Sequence, residues 1–184
     1  PPQDRFNQTI DTLKSLRKHL PNDYIFFSDG SPNAVPKEWE DEIAKYSNAV
    51  AFWAQDPEVG QLAAAGQKSQ AEIVLLFKTI HALKGNPQLH PIMQDTKRIF
   101  KFSARSILHD SFDIKEYDNL FGKYVFKTRI PSWLPKDKQE QTTDNLFITR
   151  MYSMCPSLID DYLQTLVKCY KSVNETGIDT EHAH

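Results

Sequence analysis

The sequence predicts an all-α fold: a single-domain, bundle-like array of six or seven helices with one irregular or extended segment near 123–135. Three observations carry this expectation. Apolar residues recur at three- and four-residue spacing through most of the chain, as in helices with one buried face. The 184 residues include only 6 glycines, few for folds that spend glycine on tight turns. After Pro156, the residues Leu158, Ile159, Tyr162, Leu163, Leu166, Val167 and Tyr170 spread over about half of a helix circumference.

Taken in order, Phe6, Ile10, Leu13 and Leu16 predict a first helix over 4–20, stopped by Pro21-Asn22-Asp23. The apolar run 24–27 reads as a strand or a buried linker, and 28–33 as a turn. A second helix starts near Pro36, with Trp39, Ile43, Tyr46 and Val50 on one face and Phe52-Trp53 closing it. Asp56 reads as an N-cap, followed by Pro57 and Glu58 in the first turn of a third helix that runs to Leu83. A break is expected across 66–70, where the sequence is polar and holds Gly66.

Pro91 opens a further helix to Leu108, and Asp113 with Glu116 resembles a capping box for a shorter one ending at Phe121. Alternation over 123–130 predicts an extended segment. Helices over 137–154 and from Pro156 complete the array. The globular domain is expected over 1–172, with 173–184 as a flexible tail.

With 40% hydrophobic and 25% charged residues the chain has globular rather than disordered composition. The longest apolar run, 73–77, falls far short of the ~20 residues of a membrane span, so no transmembrane segment is expected. Cys155 and Cys169 would lie roughly 20 Å apart on a helix, too far for a disulfide. Free thiols point to the cytoplasm or nucleus.

Charge is unevenly placed. Asp29, Glu38, Glu40, Asp41, Glu42, Asp56 and Glu58 make the early part acidic, whereas 97–105 carries Lys97, Arg98, Lys101 and Arg105 with no acid. At ~100° per residue these four bases share one face of the predicted helix. Lys123, Lys127 and Arg129, with Trp133 close in sequence, extend the basic set. Such a set fits the phosphates of a nucleic acid or another polyanion, or an acidic protein surface. It equally fits a solvated face that pairs with the acidic second helix.

Motifs for chemistry are sparse. Phosphate-cradling glycine loops, Cys-x-x-Cys pairs and a Gly-x-Ser-x-Gly elbow do not occur. His109-Asp110 is similar to the central pair of an all-α class of metal-dependent phosphohydrolases. That resemblance implies His81 or His90 as a first ligand, Asp144, Asp160 or Asp161 as a last one, and a metal that activates water. The residues themselves place Asp160 and Asp161 outside the apolar stripe of their helix, in solvent. No residue is assigned as catalytic or metal-binding, and no cofactor is expected. The leading expectation is a non-enzymatic protein-interaction or scaffolding domain with a protein partner. Its partner-facing residues would be Lys97, Arg98, Lys101, Arg105, Lys123, Lys127, Arg129 and Trp133.

Overall fold

The computed structural model describes residues 2–134 and 145–183. Helix α1 (Pro2–His19) leads into strand β1 (Phe26–Asp29), helix α2 (Lys37–Ala44) and strand β2 (Ala49–Phe52). Helices α3 (Pro57–Ala64), α4 (Lys68–Gly85) and α5 (His90–Asp95) follow, then β3 (Ile99–Phe102) and a 3₁₀ turn at Ile114–Tyr117. Strands β4 (Val125–Phe126), β5 (Arg129–Pro131), β6 (Asn145–Phe147) and β7 (Met151–Met154) precede α6 (Ile159–Thr176) and the short α7 (Thr180–Ala183). The expected all-α class is overturned, because three small sheets stand among the helices.

The strands that were expected to be helix share a physical signature. At 49–52, Ala-Val-Ala-Phe reads as the end of the second helix, yet that helix stops by Ala44. Asn48 then turns the chain: its Oδ1 accepts from Ile25 N at 2.8 Å and from Arg17 Nη2 at 2.5 Å, and its N–H donates to Ile25 O at 2.8 Å. This ties the segment beside β1, and the two strands pair in parallel from Phe26↔Ala49 to Asp29↔Phe52.

At 99–102, Ile-Phe-Lys-Phe is β-branched and aromatic, residue types that suit a pleated surface. It pairs antiparallel with β7 from Ile99↔Met154 to Phe102↔Met151, and β4 lines the other edge of β7. The helix expected over 137–154 is replaced at 145–154 by β6 and β7, and its first part lies outside the described residues. Cross-strand partners distant in sequence decide these short segments; local spacing alone does not.

Elsewhere the local rules hold. Asp56 caps α3, accepting from Glu58 N at 3.1 Å and Val59 N at 3.0 Å. The break between α3 and α4 sits at Gly66, whose φ of 72° belongs to the left-handed region that glycine adopts freely. The extended segment after Lys123 forms β4 and β5. Asp113 caps only a 3₁₀ turn, through Lys115 N at 2.9 Å. Among the described residues no helix is long and apolar enough to cross a membrane.

Among the described residues, two apolar clusters form the core. One joins Ile10 and Leu13 of α1 to Ile25, Phe27 and Ile43. The other packs Ile73 and Ile80 of α4 and Tyr152 and Met154 of β7 against Ile159, Tyr162, Leu166, Cys169 and Val173 of α6. The Tyr152 and Tyr162 hydroxyls meet inside this second cluster. Beyond Val173, Ile178, Thr180 and His182 are also buried.

Candidate functional site

The parallel pair β1–β2 delivers its carboxyl ends to the start of α3 and the side of α4. Ser28 of β1 meets Thr79 Oγ1 at 2.7 Å and accepts from Trp53 Nε1 at 3.0 Å. Gly30 lets the chain pass closely here: a Cβ at that position would lie 3.1 Å from Leu75 Cδ2 and 3.2 Å from Val59 Cγ1. Lys78, one turn before Ala82 on α4, reaches Asp56 Oδ2 at 2.7 Å and Glu58 Oε2 at 3.1 Å. Lys78 and the capping N–H groups together hold the Asp56 carboxyl below its ordinary value, and Asp56 in turn raises Lys78.

Above this charged group a cleft of about 570 Å³ opens between α4 and α6. Its floor is apolar: Ile73, Val74 and Phe77 from α4, with Leu166, Val167 and Tyr170 from α6. Trp53, Asp56, Glu58, Lys78 and His81 form its rim. Val167 is 57% exposed, high for a β-branched apolar side chain in a helix whose other face is core. The volume falls in the ~300–1,000 Å³ range usual for binding clefts.

The residues expected on one basic helix face do not share a helix, because 99–102 is a strand. Arg98, just ahead of β3, and Lys101 within it reach different partners. Arg98 braces the fold: Nε donates to Ser153 Oγ at 2.8 Å, Nη1 to Leu120 O at 2.7 Å and Nη2 to Lys123 O at 3.0 Å. Lys101 donates to Glu72 Oε1 and Thr149 O, both at 2.7 Å, with its ammonium 5.7 Å from the Tyr152 ring centroid. The one-face arrangement expected of a basic helix therefore does not form.

Lys97, Arg105, Lys123, Lys127 and Arg129 are exposed; Lys97 and Arg105 flank β3, and the other three lie along the stretch that holds β4 and β5. Trp133 is 60% exposed, with its ring edge-on to His182 at 5.0 Å. Arg105 lines a second, polar cleft with Lys101.

The metal-site residues are likewise apart. Asp110 is an exposed acid held by Lys18 at 2.6 Å and His19 at 3.2 Å, while His109 Nδ1 turns back to Ser111 Oγ at 2.9 Å. His90 faces Lys84 O, Asp160 pairs with Lys84, and Asp161 accepts from the Tyr124 hydroxyl at 2.9 Å. His81 lies over Phe77 in the apolar cleft. Asp144 lies outside the described residues. Among the described residues no three His, Cys, Asp or Glu side chains group so as to hold a metal.

Comparison with protein-family models, with curated proteins and with solved structures finds no match. Sequence reading identified Asp56 as a cap but missed the cleft. Lys78 is brought to it by the tertiary fold and no local signal marks it, whereas Leu166 is legible only as part of the apolar stripe of its helix.

Proposed function

We propose that this chain is a non-enzymatic protein-interaction domain that receives an amphipathic helix of a partner protein in the α4–α6 cleft. One observation carries the reading: an open apolar floor between two helices, with Val167 left exposed on it. Burying such a floor under another apolar face is favourable by roughly 25 cal/mol per Å². From Ile73 to Ala82 the α4 wall rises ~13.5 Å, enough for about two and a half turns of a docked helix. Recognition by apolar residues at i, i+3, i+4 and i+7 suits a groove of this shape.

The rim sets polarity. Asp56 and Glu58 share the single ammonium of Lys78, so that end of the cleft keeps an excess negative charge. The partner helix carries a Lys or Arg where it meets this end.

The test is selection of helical peptides from a displayed library on the full chain, with counter-screening against Val167→Glu. Enriched peptides are expected to share an apolar stripe of helical period and to bind V167E at least about tenfold more weakly. Peptides without such a stripe, or with equal affinity for V167E, would refute the assignment.

A further inference from the structure

A second cleft, of about 500 Å³, lies apart from the α4–α6 groove and differs from it in kind. Five distant segments build it: α1 (Gln8), the first turn of α4 (Ser69, Glu72), β3 and the chain after it (Lys101, Ser103, Arg105, Ser106), the β6–β7 turn (Thr149, Arg150) and the start of α7 (Asp179, Thr180, Glu181). A backbone bond from Ser103 N to Arg150 O at 2.8 Å sets the two arginine-bearing segments side by side. Lys101 clamps the walls by bonding both Glu72 and the Thr149 carbonyl.

Some of its charges are already used. Lys101 is matched by Glu72, and Asp179 Oδ1 is occupied by His182, through N at 3.0 Å and Nδ1 at 2.7 Å. Arg105 and Arg150 are exposed and make no side-chain hydrogen bond or ion pair among the described residues. Thr149 and Thr180 are each only 4% exposed, and both line the cleft. A hydroxyl that lines a cleft can donate to, or accept from, a polar group that enters it. The first turn of α4 adds unsatisfied N–H character, since Gln67 makes no side-chain cap.

We infer that this cleft binds a phosphorylated sugar or similar phosphorylated polyol. Arg105 and Arg150 take the phosphate, which suits the planar fork of a guanidinium. Glu181 and the hydroxyls of Thr149, Thr180 and Ser106 face the ligand's hydroxyl groups. None of the cleft's lining residues is aromatic, so a nucleobase would find no stacking platform. The ligand is therefore a sugar phosphate and not a nucleotide.

Calorimetric titration of the full chain at low salt tests this, with ribose 5-phosphate, ribose, inorganic phosphate and AMP as probes. Ribose 5-phosphate is expected to bind more tightly than each of the others. Arg105→Ala and Arg150→Ala should each weaken it by about tenfold or more. Thr180→Val, which removes only a hydroxyl, should weaken ribose 5-phosphate severalfold while leaving the melting temperature in place. No binding of ribose 5-phosphate, tighter binding of AMP, or full affinity in R105A and R150A would each overturn the proposal.

Discussion

The Arg98 Nε–H donates to Ser153 Oγ at 2.8 Å, joining the residue ahead of β3 to the central strand β7. The same guanidinium holds the Leu120 and Lys123 carbonyls, on either side of a turn that Gly122 makes at φ 63°. A side chain that reads from sequence as a surface base is thus an internal brace.

Replacing Arg98 by Ala should therefore destabilise the protein by about 2–3 kcal/mol, because charge-assisted bonds are lost and their partners stranded. Lys97→Ala and Arg105→Ala should leave the denaturation midpoint unchanged. Urea titration of the three variants checks this. Equal midpoints for all three would contradict the bracing role.

Asp56 combines a helix cap with a pairing to Lys78, and both favour its ionised form. Its carboxyl is held below the usual value in the folded state, so its contribution is present above the ordinary carboxylate pKa. That contribution is lost as pH falls through the lower, folded value. Asp56→Asn keeps an acceptor for the cap but not the charge, and should flatten the acid limb of stability against pH below about pH 4. Asp56→Ala should cost about 1–2 kcal/mol at neutral pH. Stability measured against pH for the two variants separates the cap from the charge.

Tyr124, Tyr152 and Tyr162 all have phenols shifted upward, chiefly by burial. A group whose folded pKa is raised contributes stability below its unfolded value and loses it as pH rises through the folded one. Spectrophotometric titration should therefore show these three tyrosines un-ionised at pH 10–11, then ionising together as the fold opens. Independent titration of every tyrosine near pH 10 would contradict the packing.

Cys169 is buried against α7, and burial pushes its thiol up to about 11. Alkylation at pH 8 should be slow in the native protein and fast after denaturation, since the thiolate is the reactive form.

Leu166 and Val167 are neighbours on α6 with opposite surroundings, 0% and 57% exposed. Leu166→Ala should destabilise the protein by about 2–5 kcal/mol through a core cavity. Val167→Glu should alter stability by no more than about 0.5 kcal/mol. That contrast makes Val167 the position at which docking can be tested without disturbing the fold.

Legibility of the sequence followed the range of the deciding interaction. α1, the Asp56 cap, the break at Gly66 and the long α6 were readable because capping and apolar spacing act within a few residues. Strands β2, β3 and β7 were not, since four-residue apolar runs fit helix and strand alike until Ile25, Ser153 or Met154 supplies a cross-strand partner. The helical face expected for Lys97 to Arg105 does not form for the same reason, since 99–102 is a strand whose side chains alternate by ~180°. Several lining residues of the first cleft were legible as a cap (Asp56) or as an apolar stripe (Leu166, Val167, Tyr170), and Lys101 and Arg105 of the second by their charge, but their convergence on clefts was not.

The central claim is that the α4–α6 cleft is a docking groove for a partner helix. Methyl-resolved NMR during titration with a selected helical peptide tests it most directly. The methyl signals of Ile73, Val74, Leu166 and Val167 are expected to shift together and saturate, with those of Ile10 and Leu13 in the other core unmoved. Saturating shifts elsewhere with the cleft methyls unchanged would contradict it.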